Sequence, residues 1–119
     1  MTRFQDLMTD EQIMEAVKNG DLQQASVLYS RYHKRIYNFL VHMTFDQDDG
    51  ADLTQNVFLR VIKYRSSYKS GMSFQSWIYQ MARNAFSDHY QRDFPNLIRI
   101  STWEGQEISI VGTISINMV

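Results

Sequence analysis

Between residues 60 and 92 the chain interleaves basic and aromatic side chains. Lys63, Tyr64, Arg65, Tyr68, Lys69, Phe74, Trp77, Tyr79, Arg83, Asn84 and Arg92 fall in one loop and its two flanking helices. Aromatic faces stack on unpaired nucleobases at about 1–3 kcal/mol each, and basic side chains follow the phosphates. A surface built from both is expected to suit a melted nucleic-acid strand. Core packing is the competing explanation. It is the better one for Trp77, whose helical period points it inward. It is weaker for Tyr68-Lys69-Ser70-Gly71-Met72-Ser73, because a core does not require such a loop.

Other chemistries find no footing. Asp46-Gln47-Asp48-Asp49-Gly50 superficially resembles a calcium loop, but the glycine comes one residue early and Val57 stands where a bidentate glutamate is needed. A capped turn explains the segment better. His33, His42 and His89 lack metal-ligand spacing. There is no glycine-rich phosphate loop, no nucleophile elbow and no H-E-x-x-H. Nothing assembles a nucleophile, a base and an orienting group, so the expectation is a protein that is not an enzyme and needs no cofactor.

Composition sets the frame for these residues. The 119 residues include no cysteine and one proline, and 44% are hydrophobic. That length supports one domain, expected over residues 1–95, and a tail over 96–119. The absence of cysteine excludes a disulfide scaffold and a thiolate zinc site. No apolar run approaches ~18 residues, and MTRFQDLMTDEQ has no apolar signal region, so a cytoplasmic protein without membrane insertion is expected. The net charge of -1 hides a strong segregation. Residues 46–59 carry Asp46, Asp48, Asp49 and Asp52 and no base, whereas residues 60–92 carry six basic residues against Asp88 alone. Local field, not net charge, selects a partner.

The elements that position these groups read as helices. Thr9-Asp10-Glu11-Gln12 is a capping box opening a short helix to about Asn19, with Gly20 as its left-handed stop. Asp21 is expected to cap a longer helix with an apolar stripe of Ala25, Leu28, Tyr29, Tyr32, Ile36, Phe39, Leu40 and Met43. Its opposite face holds Arg31, Lys34, Arg35 and Asn38. After a turn at 45–50, a third helix is expected from Ala51 to Tyr64. Leu53, Val57, Val61 and Tyr64 form its stripe, with Asp52, Gln55, Asn56, Leu59, Arg60 and Lys63 outside. Ser73 caps a fourth helix from Phe74 to about Gln91, with Trp77, Ile78, Met81, Ala82, Ala85 and His89 inward. The fold class is therefore all-α: a small bundle of three main helices plus a short N-terminal one. Beyond Pro95, Ile108-Ser109-Ile110 and Ile114-Ser115-Ile116 alternate as strands do, giving the tail a β character.

Three stretches read together carry a family likeness. LYSRYHKRIYNFLVHM, ADLTQNVFLRVIKY and FQSWIYQMARNAFSDHYQR, separated by an acidic turn and YKSGMS, resemble region 2 of a bacterial RNA polymerase sigma factor of the sigma-70 family, most similar to the extracytoplasmic-function type. The likeness covers about residues 20–93, and the order and spacing of D-L-T-Q-x-V-F-L-R and S-F-x-x-W-I-Y-x-x-A-R-N make it specific. It implies that Asp52, Gln55, Asn56 and Leu59 form a face docking on the clamp helices of the largest subunit of core RNA polymerase. It implies that the Tyr68–Ser73 loop, with Lys69, Ser70 and Gly71, captures a base flipped from the non-template strand of the promoter's minus-ten element. Lys63, Tyr64, Phe74, Trp77, Tyr79, Arg83, Asn84 and Arg92 would support that contact with promoter DNA. An anti-sigma factor is the implied regulatory partner.

The chain departs from the family pattern at several points. Ala51 and Asn56 stand where relatives commonly carry acidic residues, which removes two carboxylates from the docking face. Residues 97–119 do not resemble the family and are too few for the helix-turn-helix of region 4, so the module is expected to be incomplete without one. Two rivals stay open: a regulatory decoy that occupies the clamp without loading a promoter, and a helical interaction or oligomerisation module.

Overall fold

The computed structural model describes residues 7–93. They form α1 (Asp10–Lys18), a 3-10 turn (Leu22–Gln24), α2 (Ala25–Thr44), α3 (Gln47–Lys63), a second 3-10 turn (Arg65–Ser67) and α4 (Phe74–Asp93). There is no strand among the described residues, in keeping with the all-α class. The strand-like segments expected at 108–116, and the boundary expected at 95–96, lie outside them. Two compact units divide the chain between Ala82 and Arg83. The described part of the second is the C-terminal portion of α4.

Local chemistry explains most of the helix ends. Thr9 Oγ1 accepts from the Gln12 N–H at 3.0 Å, and Gln12 Oε1 accepts from the Thr9 N–H at 2.8 Å, which completes the capping box. Gly20 leaves α1 at φ +111°, a region closed to most residues with a Cβ. Asp21 makes no side-chain cap; the chain enters α2 through the 3-10 turn instead, with the Gln24 N–H bonded to the Asp21 carbonyl at 3.1 Å. The expected Asp21 cap is thus corrected: the amide it would have capped is satisfied by the Asp21 backbone carbonyl instead.

The start of α3 is a second correction. The helix begins at Gln47, not Ala51, because Asp46 Oδ1 accepts from the Asp49 N–H at 2.9 Å and opens the helix there. Asp48 and Asp49 then occupy its first turn, where the helix dipole favours negative charge. The preceding helix closes at Phe45, which takes a left-handed conformation (φ 58°) and is 91% exposed. Its N–H still reaches the Val41 carbonyl at 2.7 Å.

The core of the first unit joins all four helices. Ile13, Met14 and Val17 of α1 are buried, as are Leu28, Tyr32, Ile36 and Leu40 of α2, Leu53, Val57 and Val61 of α3, and Phe74, Trp77, Ile78 and Met81 of α4. Most of the expected stripe residues are among these, while Ala25, Met43 and His89 are half-buried. Tyr29, Phe39 and Tyr64 sit half-buried at their edges. Arg31 was expected on the solvent face of α2 but turns to α1, where its guanidinium bonds Asp10 at 2.9 Å and the Met8 carbonyl at 3.0 Å.

Candidate functional site

Two surfaces rise from this frame. The first is the outer face of α3. Asp52, Gln55, Asn56, Leu59 and Lys63 recur at steps of three and four and are all exposed, as the spacing predicts. Leu59 is 66% exposed, an apolar group with no intramolecular reason to face water. Carboxylates cluster at the N-terminal end of the helix and Arg60 and Lys63 at its C-terminal end. Two of the polar groups are held by neighbouring side chains. Gln55 Nε2 donates to the Tyr29 hydroxyl at 3.2 Å, and Arg60 Nε donates to Asn56 Oδ1 at 2.6 Å.

Tyr29 is a site residue that pattern reading placed only in a core stripe. Its ring stacks on His33 at 4.7 Å and meets Phe58 edge-on at 4.9 Å, while its hydroxyl holds Gln55. Phe58 thereby belongs to the support of the α3 face, not to its outer surface. No spacing rule would have paired Tyr29 with Gln55, since they stand on different helices.

The second surface is the 69–73 loop with the N-terminal half of α4. Here the structure corrects the picture of an exposed aromatic array. Tyr68 and Phe74 are fully buried and Trp77 is 2% exposed. Their rings pack edge-to-face, Tyr68 against Trp77 at 5.3 Å and Phe74 against Tyr32 at 5.2 Å. Burial of three large rings stabilises the fold more than leaving them for a ligand would. Burial raises the Tyr68 hydroxyl's pKa above its usual value, assisted by the charges of Glu11, Glu15 and Asp10. That hydroxyl donates to the Met72 carbonyl at 2.6 Å and so ties the loop to the aromatic cluster.

What the loop presents outward is Lys69, Ser70 and Gly71, all exposed. Gly71 turns the chain at φ +92°. The Met72 N–H returns to the Lys69 carbonyl at 3.0 Å, and the Lys69 N–H points at Met72 Sδ at 3.1 Å. Ser73 caps α4 through the Ser76 N–H at 3.2 Å, as its position predicts. At the end of α3, Lys63 Nζ lies 5.3 Å from the centroid of the Tyr64 ring, and both residues reach the surface.

α2 contributes to this surface as well. Arg35 sits 4.4 Å from the centroid of the Tyr32 ring and donates to Gln75 Oε1 of α4 at 3.0 Å. Tyr79 of α4 meets Phe39 edge-on at 5.0 Å. The sequence placed Arg35 only on the polar face of α2 with Arg31 and Lys34, far from the loop in the chain. In the second unit, Arg83 is exposed and Asn84 is 9% exposed. Asn84 Nδ2 has no hydrogen-bond partner among the described residues, an unspent donor in a buried position. Arg92 lies in the last turn of α4.

The family model for Sigma-70 region 2 matches residues 28–93, which takes in α2, α3, the loop and α4. The chain belongs to the sigma-70 region 2 family. It is 25% identical over 80 residues to the RNA polymerase sigma-H factor of Pseudomonas aeruginosa, covering 67% of this chain and 42% of that protein. It is 28% identical over 85 residues to the ECF RNA polymerase sigma factor SigX of Bacillus subtilis, covering 69% of this chain and 44% of that protein. To the SigM factor of the same organism it is 35% identical over 65 residues, or 55% and 39% of the two chains. The chain therefore spans about two-fifths of the length of the curated relatives it matches. No solved structure is a significant match. In this region 2 domain, both the α3 face and the 69–73 loop lie inside the matched segment, whereas α1 lies before it.

Proposed function

We propose that this chain acts as a sigma-factor region 2 module in transcription initiation. The face of Asp52, Gln55, Asn56 and Leu59 docks on the clamp helices of core RNA polymerase. The Lys69–Gly71 tip, with Tyr64, Lys63 and Tyr79, takes the non-template strand of the minus-ten element; Arg83 and Asn84, which belong to the second unit, are strand contacts in their own right. The observation that carries the reading is the pairing of exposed Leu59 with the exposed Asp52 carboxylate on one helical face, within the family-matched segment. An apolar anchor flanked by acidic and amide groups suits a basic coiled coil.

The buried rings take a different role in this reading. Tyr68, Phe74 and Trp77 build a rigid platform under the loop, and contact with the strand falls to the exposed lysine, serine and glycine backbone. The protein needs no catalytic group: a site that prefers an unstacked base to duplex shifts the melting equilibrium by itself. The burial of those rings also favours the decoy as the second reading, because it leaves fewer faces for stacking.

Binding to the isolated clamp-helix fragment tests the docking, with Asp52→Arg as the control. Saturable binding that the substitution abolishes is expected. No binding by the wild-type chain would sink the proposal. Charge reversal at Lys69 and Arg83 then separates the readings, since a decoy would lose nothing while a promoter module would lose strand affinity.

A further inference from the structure

Three carboxylates of α1 reach across to other elements. Asp10 accepts from Arg31 at 2.9 Å and from the Tyr32 hydroxyl at 2.5 Å, which seats α1 on α2. Glu15 Oε2 accepts from Ser70 Oγ at 2.7 Å, and Glu11 Oε2 accepts from the backbone N–H of Phe74 at 2.9 Å. Glu11 and Glu15 stand one turn apart on the same helix face. Neither lies within the 28–93 segment that matches the family.

The two bonds land on either side of Gly71. That residue has nothing within 4 Å of where a Cβ would be, and residues 69–73 bury no side chain. Packing does not hold this turn; hydrogen bonds do. A segment of that kind opens locally at low cost unless something tethers it. The tethers available are the Tyr68 hydroxyl from below and the two glutamates from α1.

The Glu11 contact has a second consequence. The first amides of a helix, together with its dipole, attract anions. At the start of α4 the Phe74 N–H is already taken by Glu11, and the Ser76 N–H by Ser73. A strand phosphate arriving there would meet the Glu11 carboxylate in place of an open Phe74 amide, with Glu15 on the neighbouring Ser70.

We propose that Glu11 and Glu15 are positioning residues for strand recognition. They hold the 69–73 turn in its presented conformation and close the start of α4 to phosphate, so that the loop selects a base instead of gripping backbone. This inference rests on the reading of the loop as a nucleobase site.

The test uses the full chain, with Glu11→Ala/Glu15→Ala and Glu11→Gln/Glu15→Gln compared with wild type. Amide hydrogen exchange reads the loop. Binding of a single-stranded minus-ten oligonucleotide and of an abasic oligomer of equal length, which keeps the phosphates, reads recognition. In the double alanine variant, which loses both charge-assisted hydrogen bonds, exchange at residues 69–73 should rise at least about tenfold, while core amides of α2 and α3 hold. The preference for the base-bearing strand should fall by a similar factor. The double glutamine variant should keep the loop protected, because amide oxygens still accept, yet bind the abasic oligomer more tightly.

Unchanged loop exchange in the alanine variant would overturn the proposal. So would equal weakening of both oligomers, which a merely structural role predicts. If the wild-type chain binds the two oligomers equally, the nucleobase reading itself falls, and the exchange result still decides whether α1 holds the loop.

Discussion

Gly50 of α3 lies directly against Val41 of α2: a Cβ at Gly50 would overlap Val41 Cγ2 and come within 3.2 Å of the Val41 backbone nitrogen. The two helices meet there at backbone distance, and α3 takes its register on α2 from that contact. Thr54, one turn on, is buried with its hydroxyl donating to the Gly50 carbonyl at 2.7 Å. This crossing sets the direction of the outer face of Asp52, Gln55, Asn56 and Leu59, the face proposed above to dock.

Gly50→Ala should therefore destabilise the fold by about 1–3 kcal/mol, the usual cost of overpacking. Alanine's ~1 kcal/mol advantage over glycine in a helix works the other way and is the smaller effect here. Val41 is β-branched and stiff, and the clash includes its backbone. Urea denaturation would measure the loss. Adding Val41→Ala should restore part of it, and a stabilised Gly50→Ala would contradict the close crossing.

Tyr32 gives the fold an alkaline signature. Burial, then the hydrogen bond to Asp10 and that residue's charge, push its pKa up to about 12 against a smaller lowering by Arg35. The unfolded chain gives up this proton near 10. Its contribution is complete below that pH and is lost as pH rises from about 10 to 12. Tyr32→Phe should cost about 1–2 kcal/mol at neutral pH through the lost bond to a charged acceptor. The gap between wild type and variant should close above pH 10. A constant gap from pH 8 to 11.5 in denaturant titrations would refute the assignment.

Trp77 separates core from contact. Trp77→Ala should destabilise by about 3–5 kcal/mol, as deletion of a buried aromatic does, and lower strand binding only through unfolding. Leu59→Ala should do the reverse: stability within about 0.5 kcal/mol of wild type and weaker binding to the clamp-helix fragment. Thermal melts run beside the binding titrations would expose either residue behaving as the other.

Lys69 and Arg83 carry the salt dependence of strand binding in the proposed function. Each phosphate contact on a single strand contributes about 0.7 to the slope of log affinity against log salt. Lys69→Glu should lower that slope by about this amount without moving the melting temperature, and Arg83→Glu should lower it similarly. A slope unchanged in both variants would favour the decoy.

Helix periodicity, caps and the family motifs are local properties, so they were legible along the chain. Thr9–Gln12, Gly20, Ser73, the stripes of α2 to α4 and the outward face of α3 all follow from neighbours within a turn or two. The start of α3 was misjudged by one turn because Asp46, Asp48 and Asp49 all have capping chemistry, and the backbone geometry of the 44–46 corner selects among them. Which aromatics lie inside is a question of a different kind. Tyr68 and Phe74 have the same composition signal whether they stack on a base or on Trp77 and Tyr32, and only the convergence of α2, the loop and α4 makes the second arrangement available. The same holds for Tyr29 behind Gln55, for Arg35 beside Gln75, and for the two α1 glutamates on the loop. Their energies come from pairs far apart in sequence, brought within hydrogen-bonding reach by packing that no periodicity encodes.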